Sequence, residues 1–143
     1  MQIIDHERQA TDEWRPGVTT RMRVSALTGS VQLCLFEQWC TPGRGAPTHL
    51  HAVEEVLTVL AGTAEMWIDG ETFILEAGDS VILRPYTHHG FKNVGEGSLH
   101  VIGVFSSAIA PTIFDHEPDK VVEIGGVSGD RLDSQRTVHP VSG

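Results

Sequence analysis

Apolar positions along this chain fall in short runs, and Gly, Pro, Asn or Asp breaks each run. The runs are residues 20–26, 31–40, 55–61, 63–68, 72–75, 80–83, 90–93 and 99–105, rich in Val, Ile, Leu, Phe and Trp. Short β-branched and aromatic runs at close, even spacing predict an all-β domain. The connections carry turn chemistry: Thr28-Gly29-Ser30, Ala61-Gly62, Ala77-Gly78-Asp79 and Gly95-Glu96-Gly97. Asp69-Gly70, set between two strand-like runs, is the strongest hairpin signal. Sustained helical periodicity is missing, which leaves room only for a short helix in the first dozen residues. The pattern divides the chain into an N-terminal arm (1–19), a β-domain (20–113) and a tail (114–143) richer in charge and Gly. The tail is expected to pack along the domain or onto a partner subunit.

A length of 143 residues suits one domain. Such a chain buries roughly two-thirds of its unfolded surface without disulfide staples. Ten Lys and Arg against nineteen Asp and Glu give a formal charge of −9. That balance argues against nucleic acid and anionic membranes as partners, because both are recognised by clustered cations. The apolar runs are all far shorter than the roughly 20 residues of a membrane span. The polar, acidic N-terminus does not read as a secretory leader. Cys34 and Cys40 make no disulfide framework and read as small buried thiols. The expected setting is a reducing cytoplasm.

Histidine changes the picture. Five of the eight histidines lie between positions 49 and 100, and imidazole is both the commonest metal ligand and the usual near-neutral acid or base. His49 and His51 sit at the mouth of a strand-like run. If that strand is continuous, His49, His51, Val53, Glu55, Leu57 and Val59 share one face by parity. Two imidazoles and a carboxylate then stand above an aliphatic floor. Glu54 faces away with Val56, Thr58 and Leu60, and becomes the alternative ligand only if the strand bulges. The opposite face is also apolar, so it is expected to meet another sheet or subunit. Farther on, His89, Phe91 and Asn93 share a face, and antiparallel pairing with the first strand would bring His89 to His49, His51 and Glu55.

These residues resemble the cupin family. Gly43, His49, His51, Glu55 and Gly62 match every fixed position of the first cupin motif, G-x5-H-x-H-x3-E-x6-G. Gly78, His89 and Asn93 match the second, G-x5-P-x-G-x2-H-x3-N; Arg84 stands where that motif has Pro and Tyr86 where it has Gly. Tyr tolerates positive φ poorly, so the turn geometry is the point at issue. The resemblance covers roughly residues 24–105. It implies a double-stranded β-helix, or jelly-roll barrel, over the β-domain, forming a homodimer. It implies one divalent transition metal on His49, His51, Glu55 and His89. Three imidazoles and a carboxylate suit Fe, Mn, Ni, Cu or Zn.

The implied function is a metalloenzyme acting on a small organic molecule. Dioxygenase-type oxidation stands slightly ahead of Lewis-acid isomerase, cyclase or lyase chemistry, and a non-catalytic metal- or ligand-binding barrel is the alternative. Lewis-acid chemistry needs a separate base, for which His88, His100 and Tyr86 are the candidates. Gln38, Leu57, Met66, Ile68 and Phe91 are the expected pocket walls; parity alone does not choose between Gln38 and Trp39. Asn93 is expected to order the turn backbone. His6, His116 and His139, in polar terminal stretches, read as solvated.

Overall fold

The computed structural model describes residues 2–126 and 139–140. Its strands are β1 (Gln2–Ile3), β2 (Asp12–Arg15), β3 (Val18–Val24), β4 (Cys34–Cys40), β5 (Gly45–His51), β6 (Glu55–Ala61) and β7 (Thr63–Ile68). They continue with β8 (Glu71–Glu76), β9 (Ser80–Leu83), β10 (His89–Asn93), β11 (Leu99–Phe105), β12 (Ala110–Phe114), β13 (Val122–Ile124) and β14 (His139–Pro140). One six-stranded antiparallel sheet runs β13-β12-β5-β10-β7-β8, and a second runs β2-β3-β4-β11-β6-β9. β1 and β14 form a separate pair. The result is the all-β, two-sheet architecture of a jelly-roll barrel.

Strands with a clean apolar pattern lie where the pattern puts them. The runs at 55–61, 63–68, 80–83 and 99–105 are strands with those bounds, and the Asp69-Gly70 turn joins β7 to β8 with both residues at positive φ. The run at 31–40 shortens to β4. The run at 20–26 shifts to β3 because Ser25 caps a single 3-10 turn, Ala26–Thr28, through a capping box with Thr28. In the first dozen residues the only helix is the 3-10 turn His6–Arg8. β5 and β12 escape the pattern, since each contains Pro and few large apolar residues. β2 and β13 also fall outside the span 20–113, yet each pairs into one of the two sheets. Of the tail, residues 127–138 and 141–143 lie outside the described residues.

The inner faces supply the core. Phe36 stacks on Phe105 at 5.3 Å between ring centroids and on Trp14 at 6.4 Å. Gly103 makes room for this: a Cβ there would lie 2.3 Å from the Phe36 ring. Cys34 and Cys40 are buried, free and at opposite ends of β4. Burial, with the Glu55 charge adding to it, pushes the Cys34 thiol up to about 12; burial pushes Cys40 up to about 11, against the effect of Arg15. Both are therefore protonated, inert thiols at neutral pH. No helix among the described residues is long and apolar enough to cross a membrane.

The outer face of the second sheet holds an ionic cluster. Glu37 on β4 is 1% exposed and accepts from Arg23 Nε at 2.9 Å, Arg21 Nη1 at 3.2 Å and His100 Nε2 at 2.9 Å. Trp39 lies between Arg21, 5.4 Å over its ring, and His100, stacked at 4.8 Å. The cluster ties β3, β4 and β11 together. Burial raises the Glu37 carboxyl pKa, but the His100 hydrogen bond and the two arginines outweigh it and hold the group below its ordinary 4.5.

Two predictions follow from local energetics. A depressed carboxylate pKa contributes stability that is present above the ordinary value and lost as pH falls through the folded one. Glu37→Gln should therefore cost about 2 kcal/mol at pH 7, and the gap to wild type should shrink below pH 4.5, as read by urea denaturation. A constant gap down to acid pH would contradict the assignment. Tyr86, in the turn between β9 and β10, adopts φ 63° with its side chain 66% exposed. Tyr86→Gly should thus stabilise the protein by ~0.5–1 kcal/mol, after the extra unfolded-state entropy of Gly is deducted.

Candidate metal centre

His49 and His51 lie on β5 in the first sheet, and Glu55 opens β6 in the second. The continuous strand expected from parity does not exist. The chain crosses between sheets at Ala52-Val53-Glu54, held where Ala52 N–H donates to Pro111 O and Ser106 N–H donates to Glu54 O. The inner faces of both sheets look into one space, so the three side chains still converge. Glu54 is exposed, away from the cluster. His89 stands directly opposite His49 in the antiparallel register of β10 with β5. A bulge follows at Gly90, where a Cβ would lie 2.4 Å from Trp67 and 2.7 Å from Ala46 O.

Each imidazole is pinned through Nδ1. His49 Nδ1 donates to Pro47 O at 2.6 Å, and His89 Nδ1 to Thr87 O at 2.8 Å. His51 Nδ1 lies 2.7 Å from Thr112 Oγ1, whose own proton goes to Ala110 O. A carbonyl only accepts, and this hydroxyl has spent its proton, so all three rings carry hydrogen on Nδ1. In a neutral ring held this way, Nε2 is left with a bare lone pair. His49 Nε2 and His51 Nε2 lie 3.1 Å apart. His89 Nε2 is buried without a hydrogen bond, 3.2 Å from Glu55 Oε1, which lies 3.6 Å from His51 Nε2. The ligand atoms of the three histidines all fall within 4.8 Å of one another.

Burial keeps His49 and His51 neutral. It pushes His49 down to about 3, with His89 and then Arg15 adding to the effect against the Pro47 hydrogen bond. It pushes His51 down to about 2, aided by His49 and His89. Bare lone pairs crowded beside a carboxylate repel one another unless a cation lies among them. The donor set therefore fits a divalent transition metal, and the hydrogen-bonded Nδ1 atoms are the orienting contacts that such a site uses.

The other expected site residues divide. Gln38, Leu57 and Phe91 line the cavity at the cluster; Trp39 points outward. Met66 is fully buried and Ile68 packs on the core, but neither lines that cavity. His88, His100 and Tyr86 are all outside it. His88 is half exposed and pairs with Asp115 at 3.0 Å, His100 belongs to the Glu37 cluster, and Tyr86 is on the surface. Strand alternation and turn exposure put them there. Asn93 orders the turn: its amide donates to Cys40 O and Gly97 O, and its carbonyl accepts from Gly95 N–H.

The inner cavity at the cluster is about 30 Å³. It abuts an outer chamber of about 250 Å³ across Trp14, Arg15, Phe114 and Ile124. These wall residues lie in the N-terminal arm and the tail, where the apolar pattern gives no sign of a pocket. His116, read as solvated, is more than half exposed at the rim of the outer chamber.

Comparison with known proteins places this geometry in a family. The model of the cupin domain matches residues 39–105. Polyketide synthase CurC of Streptomyces cyaneus is 31% identical over 84 residues, 58% of this chain and 52% of that protein. The chain thus spans about half the length of this curated relative. Among solved structures, the polyketide cyclase RemF from Streptomyces resistomycificus superposes with a TM-score of 0.65 at 20% identity, covering 92% of this chain and 90% of that one. Salicylate 1,2-dioxygenase from Pseudoaminobacter salicylatoxidans gives 0.58 at 20% identity, over 66% of this chain and 26% of that one. At these identities the solved structures carry the fold. The family match falls on the segment that bears both histidine motifs and the strands holding them: residues 39–105 form a cupin domain.

Proposed function

We propose that this cupin is a metal-dependent enzyme acting on a small oxygenated organic molecule, with one divalent transition metal on His49, His51, Glu55 and His89. The observation that carries the reading is the convergence of three Nε2 atoms beside Glu55, each ring fixed by its own Nδ1 hydrogen bond. A metal there supplies Lewis-acid polarisation of a carbonyl or, as Fe or Mn, oxygen chemistry. The residues of the chain limit access. An inner cavity of about 30 Å³ admits only the reacting end of a molecule, and its walls of Leu57, Phe91 and Phe105 exclude water around it.

Carbonyl polarisation for cyclisation or isomerisation is the first reading. CurC and RemF, both named for polyketide chemistry, support it, and RemF matches across 92% of the chain. Oxidation by dioxygen is the second. It is favoured by the walls of the inner cavity, where the described residues beyond the four donors add Gln38, Arg15 and the Trp14 indole as polar groups, none of them a ready acid or base near neutrality. We place the enzyme in a reducing compartment such as the cytoplasm, where its two unpaired thiols persist. We further propose a homodimer through the outer face of the second sheet. Val104, Val56 and Ile82 form a registered apolar row across β11, β6 and β9, with Ile82 67% exposed.

Mass spectrometry of untagged protein, purified without chelators, should find close to one Fe, Mn, Ni, Cu or Zn per chain. No metal, and none taken up on titration, would leave a non-catalytic binding barrel as the reading. His51→Ala and His89→Ala should each abolish stoichiometric binding. Thr112→Val, which removes the acceptor that orients His51, should weaken metal affinity roughly tenfold or more; unchanged affinity would sink the argument from pinned rings. Iron or manganese directs the search to oxygen uptake with phenolic and β-dicarbonyl compounds. Zinc or nickel directs it to cyclisation and isomerisation of poly-carbonyl substrates. Light scattering after size-exclusion chromatography should give twice the 15.6 kDa of one chain; the monomer mass would refute the dimer.

A further inference from the structure

β4 turns the side chains of residues 34, 36, 38 and 40 inward, and three of them are apolar: Cys34, Phe36 and Cys40. The fourth is Gln38, 3% exposed, at the wall of the inner cavity. An amide with two N–H donors and a carbonyl acceptor is costly there unless something meets it. Its neighbours do not. On the flanking strands, opposite Gln38 in register, stand Val101, which has no polar side-chain atom, and Thr20. The Thr20 hydroxyl is itself buried without a hydrogen bond, so the two groups do not satisfy each other. Arg15 and Trp14, polar side chains of the same wall, have contacts of their own within the protein. Among the described residues, none hydrogen-bonds the Gln38 amide.

The cavity offers this amide a partner. The three histidines lie on the facing sheet, and hydrocarbon side chains of Leu57, Phe91 and Phe105 line the space with them. A ligand that gives one oxygen to the cluster holds any second oxygen among these walls. A carbonyl oxygen placed so needs a donor, and leaving it without one costs free energy. The Gln38 NH2 group supplies that donor without adding a charge. At about 30 Å³ the cavity takes only the end of a molecule, so both oxygens belong to that end.

We infer that Gln38 is a specificity-determining residue, its amide hydrogen-bonding a second oxygen on the reacting end of a ligand held at the histidine cluster. The ligand class is then a compound with two closely spaced oxygens, such as a β-dicarbonyl. The inference deepens the proposed metal-dependent reading and rests on it for the place of the first oxygen. Selection works by exclusion. An analogue that lacks the second oxygen enters the same apolar walls but leaves the amide donors unpaired, and that penalty separates the two. Gln38 precedes the matched cupin segment by one residue, so it lies outside both histidine motifs.

The test titrates the full chain with benzoylacetone, which has two carbonyls, and with butyrophenone, which lacks the second, followed by calorimetry. Both zinc-loaded and chelator-treated protein are used, and metal content is measured in parallel. Zinc-loaded wild type should prefer the diketone by about tenfold or more. Gln38→Met keeps the length of the side chain and removes its hydrogen-bonding groups. It should cut the preference about tenfold by weakening the diketone alone, with zinc content unchanged. Its melting temperature should rise, because an unpaired buried amide is gone. If Gln38→Met does not fold, Gln38→Glu, equal in size but without the donor, decides by the same ratio. No diketone binding, no preference in wild type, or a preference that the variants leave intact would overturn the inference. An intact preference that vanishes without zinc would assign the second oxygen to the metal instead. An intact preference with a lowered melting temperature would make the amide a structural group. Protein that takes up no metal yet shows a Gln38-dependent preference would overturn the enzymatic reading and leave the Gln38 contact standing.

Discussion

Three Nδ1 hydrogen bonds govern this molecule. A neutral imidazole has one proton, and the acceptor it meets decides which nitrogen stays bare. Pro47 O, Thr87 O and Thr112 Oγ1 each take that proton. The cost is three Nε2 atoms crowded beside a carboxylate in a buried space, an arrangement that a cation among them makes favourable. The acceptors come from β5 itself, from the turn before β10 and from β12. The sheet order places those three strands side by side, with β5 in the middle.

That constraint explains the composition of β5. A strand flanked on both sides and packed inward would ordinarily carry a row of aliphatic side chains. Here the inward positions after Ala46 are two histidines, so the strand has little apolar burial of its own. Its stability comes from ladders to β10 and β12 and from the crossing at Ala52, which is bonded to Pro111. The second sheet offsets the polar interior of the first. Its Phe36–Phe105 stack fills the centre, and its outer Glu37 cluster stitches three strands through buried charge. The ion cluster lies on the outer face of the second sheet, and the histidine cluster lies between the inner faces of the two.

A second cavity sits apart from both. The motif segment supplies the donors and the inner floor, and the chamber beyond them is walled by Trp14, Arg15 and Phe114 from the flanking strands.

Much of this was legible along the chain, for a local reason. Period-two alternation and Asp-Gly or Ala-Gly turns specify a strand from its own residues, so β6, β7, β9 and β11 have the bounds read from the pattern. Histidine spacing pointed to one cluster, because antiparallel pairing of His89 with His49 needs only strand identity and register. What stayed hidden depends on partners distant in sequence. Glu55 reaches the histidines by crossing from one sheet to the other, not by parity along one strand. His100 lies outside the cavity because the strand alternation of β11 turns it toward Glu37, and Gln38 rather than Trp39 faces inward for the same reason on β4. Trp14, Arg15 and Phe114 form a wall because β2 and β12 end at the same mouth from different sheets. Chain-local chemistry names the donors. Contacts within the first sheet orient each imidazole, and packing between the two sheets brings Glu55 to them and gives each cavity its shape.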